Sequence, residues 1–139
     1  MCSSDLYHRF HMPVAGYVTD HGIIDGRYES VNPQAYKGRN PLLTNRRQVF
    51  ELRTATDNNM LLVAVGALCV GSIVPTYNAK KNYHLKGSEL GYFAFGGSTV
   101  ALITQPGALN VRTDIITHSG LGDETAVHMG TAIGQWAKH

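Results

Sequence analysis

The chain has 139 residues, of which 43% are hydrophobic and 16% charged, a balance that predicts one globular domain and argues against wholesale disorder. Its formal net charge is only +2 and it contains no basic block, which argues against nucleic acid as the main partner. The two cysteines, Cys2 and Cys69, are too few for a disulfide framework and lack metal-ligand spacing.

Short strands joined by turns are predicted along the first half of the chain. Residues 14–18 form the first predicted strand, with a turn or bulge at its glycine. The pairs at residues 25–26 (Asp-Gly) and 58–59 (Asn-Asn) are typical of hairpin turns. Residues 49–54 alternate apolar and polar side chains, which indicates a half-buried strand.

The later segments predict central strands and little helix. Residues 60–67, 68–74 and 99–103 are rich in aliphatic and β-branched side chains, as buried strands are. Helical periodicity is weak, and the best candidates are a turn at residues 41–45 and a segment at residues 124–129. The sequence therefore predicts a mostly β fold, a single compact barrel or sandwich-type domain over residues 1–139 with few short helices.

Targeting signals are not evident in the sequence. Residues 1–10 contain no apolar core of a signal peptide, and the longest apolar stretch, residues 60–74, is too short to span a bilayer. We expect a soluble chain that is cytoplasmic or in peripheral contact with a membrane.

A Gly-Gly-Ser-Thr tetrad at residues 96–99 lies between two apolar stretches and is compatible with a simple turn. It is also compatible with self-cleavage, because a serine hydroxyl can attack the preceding carbonyl carbon where glycine permits a bent backbone. The amide would become an ester, the ester would eliminate, and the resulting dehydroalanine would hydrolyse to a pyruvoyl group. Such chemistry requires a base for the Ser98 hydroxyl and donors for the oxyanion at Gly97.

Two neighbouring histidines, His8 and His11, are candidates for that base, since imidazole titrates near neutral pH. Their spacing of three residues also suits a metal ion, as in a zinc peptidase, but no third ligand stands at a recognisable spacing. Each histidine taken singly is equally compatible with a structural role. From the residues alone, these alternatives stay open.

Five segments in collinear order carry a more specific signal. They are His-Arg-Phe-His-Met-Pro-Val-Ala-Gly at residues 8–16, Tyr-Glu-Ser-Val-Asn-Pro at 28–33, Asn-Arg-Arg-Gln-Val at 45–49, Val-Gly-Ala-Leu-Cys-Val-Gly-Ser-Ile at 65–73, and Lys-Gly-Ser-Glu-Leu-Gly-Tyr-Phe at 86–93. Together with the tetrad, they resemble the phosphatidylserine decarboxylase family over about residues 5–134. Arg46 stands where the family usually has Glu, and Gly96 where bacterial members have Leu.

The resemblance implies residue roles. Ser98 would be the nucleophile of self-cleavage and the precursor of a covalent pyruvoyl cofactor. Cleavage after Gly97 would leave a β chain of residues 1–97 and an α chain of residues 98–139. His11 would be the base for self-cleavage, and His8 would serve the decarboxylation step.

The resemblance also implies a substrate and partners. Phosphatidylserine would form a Schiff base with the pyruvoyl group and be converted to phosphatidylethanolamine and carbon dioxide, in a pocket lined by Phe93 and Phe95. The alternative substrate is a free amino acid such as tryptophan, on which fungal relatives act. The resemblance implies no metal ion. It does imply a homodimer and peripheral contact with a membrane.

One departure concerns the carboxylate that orients the cleavage histidine. In the family it lies upstream of the histidine segment, and Asp5 matches a different position, so we expect slow or absent self-cleavage. An alternative of another class is a non-catalytic carrier module of the biotinyl or lipoyl type, because residues 12–16 resemble its turn region. Such a carrier needs a lysine beside methionine at a hairpin tip, which the sequence lacks.

Overall fold

A computed structural model describes residues 8–32, 40–68, 72–81, 83–94 and 99–137 of the chain. The strands are Arg9–His11 (β1), Tyr17–Ile24 (β2), Arg47–Arg53 (β3), Asn59–Val65 (β4), Ser72–Pro75 (β5), Glu89–Ala94 (β6), Thr99–Thr104 (β7), Leu109–Val111 (β8) and Gly134–Trp136 (β9). The helices are Pro41–Thr44 (α1) and Thr113–Leu121 (α2). The prediction of a mostly β fold with few short helices is confirmed.

The chain divides into two compact units, the first ending at Ile103 and the second beginning at Thr104. The first unit holds a four-stranded sheet in the order β2-β3-β4-β7 and a three-stranded sheet in the order β1-β6-β5. The second unit holds the antiparallel pair β8-β9 and helix α2. A single domain over residues 1–139 stays a prediction.

The strands predicted at residues 49–54 and 60–67 are confirmed as β3 and β4. They pair antiparallel along their whole length, from Arg47 opposite Val65 to Arg53 opposite Asn59. The hairpin turn lies slightly earlier than predicted, because Asn59 already belongs to β4. Asp57 takes the left-handed conformation in that turn, with φ of 58°, which aspartate tolerates better than most residues.

The turn predicted at residues 25–26 is not a hairpin. Strand β2 pairs with β3 rather than with the chain that follows it, and Arg27 forms a parallel bridge with Asn45. The prediction that residues 68–74 and 99–103 form central strands is also wrong for the described residues. Strands β5 and β7 are each the last strand of their sheet, so each has a neighbouring strand on one side only among the described residues.

The core of the first unit lies where aromatic side chains of the two sheets meet. The ring of Phe10 in β1 lies 5.9 Å from that of Phe50 in β3 and 5.2 Å from that of Phe93 in β6. All three side chains are buried, as are the neighbouring Leu52 and Leu62. Because these contacts join one sheet to the other, the arrangement is of the sandwich type.

The two helices differ in how far the sequence predicts them. Helix α1 is confirmed: Asn40 caps it by accepting a hydrogen bond from Leu42 N at 3.1 Å. The helix predicted at residues 124–129 is wrong, and the second helix is instead α2. Helix α2 buries none of its side chains, so no apolar periodicity reveals it, and Gly122 ends it with φ of 84°.

Candidate active site

The histidine segment and the segment that precedes the tetrad are neighbouring strands. Strand β1 runs antiparallel to β6, with His11 opposite Glu89, and Phe93 N donates to the carbonyl of His8 at 2.9 Å. A bulge at Leu90 shifts the register between the two ends of this ladder. Two segments that lie far apart in the sequence are therefore held side by side.

His11 is oriented by a backbone carbonyl. Its Nδ1 lies 2.8 Å from the carbonyl oxygen of Gly87. A carbonyl can only accept a hydrogen bond, so Nδ1 carries a hydrogen and the lone pair of the neutral ring resides on Nε2. Gly87 supplies the carbonyl from a turn in which its own φ is +83°, a conformation that glycine adopts without strain. The ring thus has the tautomer that a base acting through Nε2 needs.

Glu89 is a site residue that the sequence analysis did not single out. Arg9 Nη1 donates to both of its carboxylate oxygens at 2.7 Å, and Thr76 Oγ1 donates to Oε1 at 2.6 Å. The hydrogen bond from Thr76, followed by the hydrogen bond and charge of Arg9 and the charge of His11, lowers the pKa of Glu89 in spite of partial burial. A carboxylate therefore lies within electrostatic reach of His11.

The lowered pKa of Glu89 predicts a pH effect on stability. A carboxylate whose pKa is lower in the folded state adds stability at pH values above its unfolded pKa, and this contribution is lost as the pH falls through the folded value. We expect the free energy of unfolding, measured with urea, to fall less for Glu89→Gln than for wild type between neutral and acidic pH. Glu89→Asp, which keeps a carboxylate, should retain part of the wild-type dependence. Parallel pH curves for wild type and Glu89→Gln would contradict this expectation.

His8 lies at the other end of the β1–β6 ladder, opposite Phe93. It is half buried, and its Nε2 is buried without a hydrogen-bond partner among the described residues. An unpartnered buried nitrogen is rare in folded proteins and is a reason to look for a ligand or reacting group nearby. His8 thus pairs close to the C-terminal end of β6, which is Ala94, and the tetrad follows this strand in the sequence at residues 96–99.

The remaining predicted site residues are placed only in part. Ser98, Gly97 and Phe95 lie outside the described residues. Phe93 is described, and it packs in the core against Phe10, so its burial is accounted for without a ligand. A lining role for Phe93 and Phe95 stays a prediction.

The glycine of β6 is explained by close packing. A Cβ atom on Gly91 would lie 2.5 Å from the carbonyl oxygen of Val74 and 2.6 Å from the ring of Phe10. Neither the backbone nor the buried ring can give way cheaply, so any larger residue would push β6 away from β1 and β5. Glycine is therefore the residue that the close packing of the β1-β6-β5 sheet allows at this position.

Three other segments of the family resemblance meet at one buried side chain, Asn45. Its Nδ2 donates to the carbonyls of Glu29 at 2.8 Å and Gly66 at 2.9 Å, and its Oδ1 accepts from Glu29 N at 3.0 Å. These bonds join the described parts of the segments at residues 28–33, 45–49 and 65–73. Asn45 is therefore a structural junction of these three segments.

The alternative of a metal ion shared by His8 and His11 would need at least one further ligand from the protein. Within the described ranges, no three His, Cys, Asp or Glu side chains are placed to hold a metal. Neither helix in the described part of the chain is long and apolar enough to cross a bilayer.

Comparisons with known proteins identify a family and relatives that are similar to this chain. The family model described as phosphatidylserine decarboxylase matches residues 1–135. A relative from Chlamydia caviae, named phosphatidylserine decarboxylase proenzyme, is 42% identical over 93% of this chain and 43% of its own length. A relative of the same name from Clostridium tetani is 43% identical over 97% of this chain and 45% of its own length. No solved structure gives a significant match.

The chain spans less than half the length of these two curated relatives. The matched residues nevertheless include the histidine segment, the β6 segment and the tetrad. These findings favour the resemblance over the carrier-module alternative. The chain belongs to the phosphatidylserine decarboxylase family.

Proposed function

We propose that the protein is a self-processing, pyruvoyl-dependent decarboxylase that converts phosphatidylserine to phosphatidylethanolamine and carbon dioxide. The observation that carries this proposal is the family match, whose relatives are named as proenzymes of that activity. The pairing of the histidine segment with β6, the strand that precedes the tetrad in the sequence, supports it.

In the self-cleavage step, Ser98 Oγ attacks the carbonyl carbon of Gly97 and His11 takes the hydroxyl proton. The hydrogen bond from Nδ1 to the Gly87 carbonyl supports this role, because it leaves the accepting lone pair on Nε2. The carboxylate of Glu89 stabilises the imidazolium that forms, as an orienting carboxylate does in other acyl-transfer sites. A carboxylate upstream of the histidine segment is then not the only source of this stabilisation.

The pyruvoyl group made from Ser98 would supply an electron sink for loss of the substrate carboxylate. The residue in the described chain that fits beside such a group is His8, whose buried Nε2 has no partner and which lies opposite the end of β6. In this proposal, His8 holds or delivers a proton on the substrate side. Its partial burial favours the reaction by limiting the access of water.

The experiment that tests the function measures carbon dioxide release from the purified chain with two substrates. Mixed micelles of phosphatidylserine test the proposal, and free tryptophan tests the alternative substrate. Turnover of the lipid with none of tryptophan is the expected result. If only tryptophan is turned over, the substrate is a free amino acid rather than the lipid. If a chain that has cut itself turns over neither compound, the proposed decarboxylase activity is wrong.

Separate roles for the two histidines predict separable defects. We expect His11→Ala to slow cleavage between Gly97 and Ser98 by about 10²- to 10⁴-fold, the usual contribution of a general base. His8→Ala should be cut at the wild-type rate and then fail in turnover. His21→Ala is the matched control, because His21 is exposed and pairs with Glu51 instead. Cleavage that depends on His8 and not on His11 would reverse the assignment.

A further inference from the structure

A carboxylate on the core-facing side of the four-stranded sheet has no cationic partner among the described residues. Asp20 lies opposite the buried Phe50 in the β2–β3 ladder, so the two side chains project from the same face. The two carboxylate oxygens accept from Gln48 Nε2 at 3.1 and 2.8 Å, and Oδ1 also accepts from Gly22 N at 2.7 Å. Because these donors are neutral, the negative charge of Asp20 is not neutralised.

The amide that donates to Asp20 has a buried oxygen that receives no hydrogen bond. Gln48 is 3% exposed, and its Oε1 has no partner among the described residues. Oε1 is bonded to the same carbon as Nε2, so it lies beside the carboxylate. Turning the amide over would set its oxygen against two carboxylate oxygens, which are acceptors as well. A buried acceptor beside Asp20 therefore lacks a donor that the described chain does not supply.

Aromatic rings from the connection between β5 and β6, residues 76–88, surround the same carboxylate. The hydroxyl of Tyr77 lies 3.5 Å from Asp20 Oδ2, and the ring of Tyr77 meets those of Phe50 at 5.9 Å and the buried His84 at 5.8 Å. Burial, followed by the charge and hydrogen bond of Asp20, raises the pKa of Tyr77, so the phenol keeps its proton. The three side chains Asp20, Gln48 and Tyr77 thus present one negative charge and two neutral oxygens.

We propose that Asp20, Gln48 and Tyr77 bind the primary ammonium group of a small molecule, which reaches them past the exposed Asp20. Such a group brings a positive charge for the carboxylate and N–H donors for Gln48 Oε1. A divalent metal ion fits less well, because it prefers several charged oxygen ligands and Asp20 is the one carboxylate of the three. An inward charge on the edge strand β2 also discourages pairing with other chains, but that role leaves the buried amide oxygen unexplained. The proposal goes beyond the decarboxylase function and does not depend on turnover.

The test is titration of the full chain carrying Ser98→Ala with ethylammonium chloride, followed by two-dimensional NMR of its amide groups in phosphate buffer. This parent chain lacks the proposed pyruvoyl precursor, so a Schiff base with the amine cannot account for binding. We expect the backbone amide of Gly22 and the side-chain amide of Gln48 to shift together, at the millimolar concentrations that so small a ligand requires. Tetramethylammonium has the charge but no N–H, and ethanol has no charge. Both should bind at least about tenfold more weakly.

Substitutions then locate the bound group. Asp20→Asn keeps the size of the side chain and removes its charge, so ethylammonium should bind at least about tenfold more weakly. Glu51→Gln is the matched control, because this carboxylate of β3 pairs with His21 instead, and the variant should bind as the parent chain does. The proposal is overturned if the parent chain shows no shift at Gly22 and Gln48, if Asp20→Asn binds as tightly as the parent, if Glu51→Gln loses binding equally, or if the three probes bind alike. The comparison of probes uses the parent chain only, so it decides even where a variant fails to fold.

Discussion

Ser98→Ala is expected to leave the chain as one uncut species, whereas wild type should separate under denaturing conditions into residues 1–97 and 98–139. Alanine has no hydroxyl, so no ester can form at Gly97 and the loss of cleavage should be complete. Intact mass spectrometry measures the outcome directly. The smaller wild-type piece should also lack a free amino terminus, because a pyruvoyl group has no amine.

Ser88→Ala is the matched control for this experiment. Ser88 lies in the segment that leads to the tetrad, and its recorded bonds use the backbone only: its carbonyl accepts from Met12 N, and its N donates to the carbonyl of Leu85. Alanine preserves both, so this variant should cut itself as wild type does. Cleavage of Ser98→Ala at the same junction would refute serine-driven self-processing, and a wild-type chain that stays whole would refute it for these 139 residues.

Strands β3 and β4 could be predicted from the sequence because the pattern of apolar side chains follows the pattern of burial. In β3, the buried Gln48, Phe50 and Leu52 alternate with less buried neighbours, and β4 is apolar almost throughout. Helix α2 could not be predicted this way, since it buries nothing and presents no apolar stripe. The segment at residues 124–129 follows the Gly122 cap, and all of it except the half-buried Thr125 is exposed, so no buried apolar face stabilises a helix there.

The candidate site shows the same limit. The histidine and β6 segments could be identified from their residues. The register of their pairing, however, depends on a bulge at Leu90, which the local sequence does not predict. That pairing decides that Gly87 and Glu89, rather than a nearby aspartate in the sequence, contact or face His11. Partners across an antiparallel ladder are set by register, and register is a property of the whole sheet.

Asn45→Ala should cause one of the largest losses of stability among single substitutions in the described chain. Asn45 is fully buried, and truncation would leave the two carbonyls and the one N–H that it serves without partners. An unsatisfied buried polar group costs about 1–3 kcal/mol, so we expect a loss of about 3–5 kcal/mol in the free energy of unfolding. Urea unfolding in the Ser98→Ala background measures this on one uninterrupted chain.

Asn40→Ala provides the comparison that separates a buried junction from an ordinary cap. Asn45 is the residue after the last turn of α1, and Asn40 is the residue before its first turn. Asn40 is exposed, and its side chain accepts one hydrogen bond, from Leu42 N. Loss of such a cap typically costs about 1 kcal/mol. If both variants lose the same amount, Asn45 is only a helix-end residue. A loss several times larger at Asn45 would mean that the segments at residues 28–33, 45–49 and 65–73 are held together chiefly through one side-chain amide. This role would explain why the family resemblance includes Asn45, which is far from the tetrad in the sequence.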